Sequence, residues 1–80
     1  AVPNLLNEIM YATPKDVQIT SIENTTSKHI KIEAQSEKYE QLGYFKGQIK
    51  NGGILLNVIS DQGVKNGDIV KITIEGDLPW

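Results

Sequence analysis

The sequence predicts an α+β domain of two layers, in which a helix–strand–strand unit is used twice. Three observations lead there. Two segments carry apolar residues at helical spacing, and each is followed by two short segments with strand character. Turn-forming residues separate the segments. Eighty residues allow one domain, 1–80, and no second core. A chain of this size buries only about 60% of its unfolded surface, enough for one sheet covered on one face.

The first helix is expected over residues 3–12. Pro3 suits a first helical position, Asn4 is an alternative cap, and Leu5, Leu6, Ile9 and Met10 form one apolar face. Pro14 disfavours helix at Thr13. A first strand follows at 17–24, with Val17, Ile19 and Ser21 on one side and Gln18, Thr20 and Ile22 on the other. Asn24 to Lys28 is turn chemistry. The second strand, 29–35, alternates cleanly: Ile30, Ile32 and Ala34 inward, Lys31, Glu33 and Gln35 outward. Ser36 is the expected cap of a second helix over 37–50, whose stripe is Tyr39, Leu42, Phe45 or Lys46, and Ile49. Gly43 and Gly47 weaken that helix unless they allow close packing on the sheet. Asn51-Gly52-Gly53 is a left-handed stop. Strands at 54–60 and 68–75 complete the pattern, with a loop at 61–67 and a tail from Gly76 to Trp80.

The order α-β-β-α-β-β closes most simply as a circularly permuted ferredoxin-like two-layer sandwich with a four-stranded antiparallel sheet. The strand order is then third, fourth, second, first. The strand at 54–60 becomes an edge that is apolar on both sides, Leu55 and Ile59 facing one way and Ile54, Leu56 and Val58 the other. A greasy edge invites association unless the tail covers it. Leu55, Asn57 and Ile59 are therefore the expected partner-contacting strip. Gln18 and Thr20, on the edge strand at 17–24, are the alternative.

Residues for chemistry are sparse. With ten acids, eight lysines and no arginine, the net charge is −2 and there is no basic stripe for nucleic acid. The absence of cysteine excludes disulfides, thiolate catalysis and sulfur-bound metals. His29 has no sequence neighbour that suggests a triad or metal set. Asp61 and Asp68 flank a loop that lacks the alternating ligands of a calcium site. Gly52-Gly53 precedes a strand rather than a helix, so no phosphate cradle forms there. The outward positions Lys31, Glu33, Lys71 and Thr73 include no aromatic to stack on RNA bases. The expectation is a non-enzyme without catalytic residues, cofactor or metal. No apolar run approaches the roughly 20 residues that cross a bilayer, so any membrane anchor is expected before Ala1.

The stretch from Leu5 to Ile22, with its leucine-bearing helix, Pro14, and Val17-Gln18-Ile19-Thr20-Ser21-Ile22, resembles the opening of the PilN extracytoplasmic domain. Ile30-Lys31-Ile32-Glu33-Ala34-Gln35-Ser36 resembles that family's second strand. Glu33, where the family often has glycine, and Gly43 and Gly47 depart from the pattern. The resemblance implies a structural scaffold of the type IV pilus inner-membrane machinery. Its domain would pair with itself or a PilO-like protein, on the extracytoplasmic side of a bacterial membrane, in a periplasm or cell-wall zone. It would be held there by an N-terminal membrane helix, with actin-like PilM on the cytoplasmic side. A GspL-like domain of type II secretion shares the fold and is the near alternative. A BON-type lipid-binding module has the same element order, and scattered lysines with a negative net charge disfavour it.

Overall fold

A computed structural model describes residues 4–79. Two helices and five strands follow the chain as α1 (Asn4–Ala12), β1 (Gln18–Asn24), β2 (His29–Ser36), α2 (Tyr39–Asn51), β3 (Leu56–Ser60), β4 (Val64–Asn66) and β5 (Ile69–Asp77). The sheet is antiparallel with order β1-β2-β5-β3, and β4 also pairs with β5. The helices cover one face, so the molecule is the α+β, circularly permuted ferredoxin-like sandwich expected from the sequence. The central pair is long and in continuous register, from His29 opposite Asp77 to Ser36 opposite Val70.

The core forms where the alternation of the two central strands meets α2. Ile30, Ile32 and Ala34 of β2 and Ile72 and Ile74 of β5 pack under Leu42, Phe45 and Ile49. Ile9 of α1 and Val17, Ile54 and Leu55 close the margins. At about 25 cal/mol per Å² of apolar area removed from water, this cluster is the main source of stability.

Several expectations change in detail. Pro3 lies outside the described residues, as do the side chains of Leu5 and Leu6. Met10 is 69% exposed, whereas Ile9 is buried in the core and Ala12 packs against it. Thr13 ends α1 by donating from Oγ1 to the Ile9 carbonyl at 2.6 Å. Ser36 does not cap α2; it is the last residue of β2 and is buried. Its hydroxyl donates to the Asp16 carbonyl at 2.8 Å and accepts the Lys38 N–H at 3.0 Å, tying the start of β1 to the approach to α2. The cap position falls on Lys38, whose side chain makes no capping bond. Tyr39 is exposed because α2 begins with it rather than before it. Gly43 and Gly47 permit no close approach, since a Cβ at either would meet nothing nearer than 4.0 Å. Gly53, at φ +69°, supplies the left-handed stop.

Two irregularities come from bulges. In β1, Thr20 is the extra residue between Ile19, opposite Ala34, and Ser21, opposite Glu33. The bulge brings Ile22 opposite Ile32, onto the helix-facing side with Ile19, rather than outward as strict alternation requires. The second irregularity is the stretch expected to be a loop at 61–67. It contains β4, which continues the edge line of β3 along β5. The final strand runs on to Asp77. Leu78 packs against the core and donates its N–H to the Lys28 carbonyl at 2.7 Å, so this part of the tail belongs beside β2 and does not cover β3.

Candidate partner-binding surface

The edge formed by β3 and β4 is built by two interruptions of regular pairing. Leu56 lies opposite Asp77 and Ile59 opposite Glu75, so one residue too many stands between them, at Asn57-Val58 against Gly76. Asn57 absorbs the kink at φ +54°, a conformation asparagine tolerates better than most residues. Gly76 makes the kink possible from the other side. A Cβ there would sit 2.8 Å from Leu55 Cβ and 3.1 Å from the Leu56 carbonyl oxygen. The second interruption lies between Ser60, opposite Ile74, and Val64, opposite Lys71. Gly63 adopts φ +97° in this gap. Asp61 holds it closed, with Oδ1 accepting the N–H groups of Gly63 at 3.2 Å and Thr73 at 3.1 Å.

The consequence is a change of face. Directly opposed residues point to the same side of a sheet. Leu56, Ile59 and Val64 stand opposite Asp77, Glu75 and Lys71, and thus all project to the face away from the helices. They are 48%, 63% and 64% exposed. Three large apolar side chains along one sheet edge form a strip that water does not favour.

Of the residues expected here, Ile59 lies on the strip. Asn57 is exposed beside it and serves as its hinge, donating from Nδ2 to Asp77 Oδ2 at 3.1 Å. Leu55 is a correction. It is 2% exposed and belongs to the core, because β3 begins only at Leu56 and the bulge sets a new alternation. Its place is taken by Leu56 and Val64. Gln18 and Thr20 are exposed on the opposite edge. Gln18 Oε1 accepts from Gln35 Nε2 at 3.1 Å, and Thr20 Oγ1 donates to the Glu33 carbonyl at 3.2 Å. That edge is not wholly polar either, since Met10, Thr13, Ile19 and Ile22 line an apolar groove between α1 and β1.

A charged cluster adjoins the strip. His29 lies between two carboxylates, with Nδ1 3.0 Å from Asp77 Oδ1 and Nε2 3.0 Å from Glu75 Oε1. The hydrogen bond to Asp77, then that to Glu75, raises the histidine above its ordinary pKa of 6.5. The hydrogen bond from His29, followed by that from Asn57, lowers Asp77. Sequence inspection missed this cluster because its members are 46 and 48 residues apart. The register of the central strands was the signal that could have found it. Among the described residues, no group of His, Asp or Glu side chains is arranged to hold a metal, and every buried side-chain polar atom has a partner.

No protein-family model matches the chain, and no curated protein matches it. Among solved structures, the chain is similar in fold to the periplasmic domain of EpsL from Vibrio parahaemolyticus. The match has a TM-score of 0.73 at 17% sequence identity and covers 96% of this chain and 88% of that one.

Proposed function

We propose that this chain is the extracytoplasmic domain of a non-catalytic scaffold in a type IV pilus inner-membrane assembly subcomplex, and that it docks on a PilO-like partner through its β3–β4 edge. The observation that carries the reading is the exposed strip Leu56, Ile59 and Val64. Two bulges aim it at the open face, and no covering segment lies over it among the described residues. The likeness in sequence to the PilN domain supplies the machine. The fold shared with a periplasmic domain supports the compartment. No described helix is long and apolar enough to cross a membrane. In this reading an anchor and a link to an actin-like PilM are expected in other parts of the protein. Beside the strip, Asn57, Asp77, His29 and Glu75 bond to one another in a chain.

The likeness to the EpsL domain specifically favours a second reading, a GspL-like domain of a type II secretion assembly. The two readings differ in partner and not in surface.

Sedimentation of the domain mixed with a PilO-like domain should reveal a complex. Ile59→Glu should weaken it at least about tenfold, since a charge placed at an apolar contact loses its water. The variant keeps its fold because Ile59 lies outside the core. Absence of a complex with the wild-type domain overturns the pilus reading, and equal binding by the variant overturns the β3–β4 edge as its docking surface.

A further inference from the structure

We infer that the β3–β4 edge is a pH-dependent docking surface, competent while His29 holds both Glu75 and Asp77 and weakened once it holds only one of them. The inference rests on the scaffold reading for what covers the edge, and adds a control over that same site. Its ground is the register of the strands. Leu56 lies opposite Asp77 and Ile59 opposite Glu75, so each of these apolar side chains has a carboxylate as its cross-strand neighbour on the open face. His29, opposite Asp77 on the other side of β5, reaches both carboxylates at 3.0 Å, one from each ring nitrogen. An ionised carboxylate only accepts hydrogen bonds, and a neutral imidazole has a single N–H to donate. Both bonds are therefore made only by the imidazolium, which carries a proton on each nitrogen.

Loss of that proton leaves one carboxylate facing a nitrogen lone pair. The released group is either Glu75, beside Ile59, or Asp77, beside Leu56. Asp77 also anchors the bulge, since its Oδ2 accepts from Asn57 Nδ2 at 3.1 Å and Asn57 is the residue at φ +54°. A partner lying on Leu56 and Ile59 takes water from both carboxylates, and a charge deprived of water is costly unless it is paired. Docking thus favours the protonated ring. It raises further a pKa that the bonds to Asp77, then Glu75, already hold above 6.5. A complex that binds the proton more tightly than the free domain loses affinity as pH rises through the free domain's value. Other charges do not replace this one. Lys31 follows on the same face of β2, opposite Glu75 of β5 and Glu23 of β1, and exposed Lys28 precedes His29 in the turn. Among the described residues the ring bonds to none of them, and no ion pair joins Lys31 to either carboxylate. The strand β3 brings no charged residue, and the helices lie on the other face.

Two measurements test this, the first without a partner. In the domain alone, nitrogen NMR of the His29 ring should show protons on both nitrogens at about pH 6. The methyl signals of Leu56 and Ile59 and the side-chain amide of Asn57 should shift with the His29 midpoint, whereas Val64, opposite Lys71, should not follow. In the second, the affinity for a PilO-like domain should be about tenfold weaker at about pH 9 than at about pH 6, the change expected if docking raises the histidine by about one unit. His29→Gln should remove this dependence. Glu75→Gln should keep at the higher pH the affinity found at the lower, because a neutral ring then donates to Asp77 and accepts from the amide. Altered folding would not produce that rescue. The inference is overturned by a ring with a single protonated nitrogen at about pH 6, or by Leu56 and Ile59 signals that ignore the His29 titration. A complex whose affinity changes equally with pH in wild type and His29→Gln would also overturn it. Absence of a complex at either pH overturns the scaffold reading instead, and the spectra of the free domain still uphold or overturn the coupling of the edge to the proton.

Discussion

His29 is held by two carboxylates on the neighbouring strand, and the direction of its pKa shift makes its contribution to stability dependent on pH. A raised folded-state pKa means that the contribution is fully present below 6.5, the ordinary value, and is lost as pH rises through the raised one. Asp77, lowered from 3.8, behaves conversely: its contribution is present above that value and disappears as pH falls through the lowered one. The window in which both partners are charged therefore spans the mildly acidic to neutral range. Thermal melts of wild type and His29→Gln should differ most near pH 6 and converge in the alkaline range, and curves that stay parallel across neutral pH would contradict the assignment. Gly76 is the other decisive residue. Its missing Cβ is what lets Leu55 close over the core while Leu56 turns outward. Gly76→Ala pushes a new atom against Leu55 and a backbone carbonyl, and should cost about 1–3 kcal/mol in urea unfolding.

At the level of elements, α2 is stable in spite of its sequence rather than because of it. Leu42, Phe45 and Ile49 are fully buried, whereas Gly43 and Gly47 contribute nothing to packing. Replacing either by alanine should stabilise the domain by about 0.5–1 kcal/mol, because the unfolded chain loses freedom and no atom is displaced. The edge formed by β3 and β4 follows a different logic. Ile59 was legible as a surface apolar residue from its place in a strand that is greasy on both sides. Leu55 was misplaced and Val64 was assigned to a loop, because period-two counting assumes an uninterrupted ladder. Each of the bulges at Asn57, Gly63 and Thr20 shifts the count by one and moves later side chains to the other face. Asn57 and Gly63 are residue types that suit such kinks, but both are equally at home in ordinary turns.

For the whole molecule, one core supports two unlike edges, and its margin is small. A domain of 80 residues is expected to be stable by roughly 4–12 kcal/mol. Phe45→Ala, at the centre of the cluster, should remove about 3–5 kcal/mol of this. A urea midpoint that hardly moves would show that the core lies elsewhere. Composition and alternation were enough to determine the α+β class, the inward faces of β2 and β5, and Leu42, Phe45 and Ile49 of α2. These follow from burying apolar side chains at fixed periods, which is a local property of the chain. Which apolar residues are left outside was decided only by the tertiary structure. Leu56 and Val64 face solvent while Leu55 does not, and Ile22 shares a groove with Met10, because bulges and register are settled jointly by two strands far apart in sequence. The same joint choice brought His29 to Glu75 and Asp77.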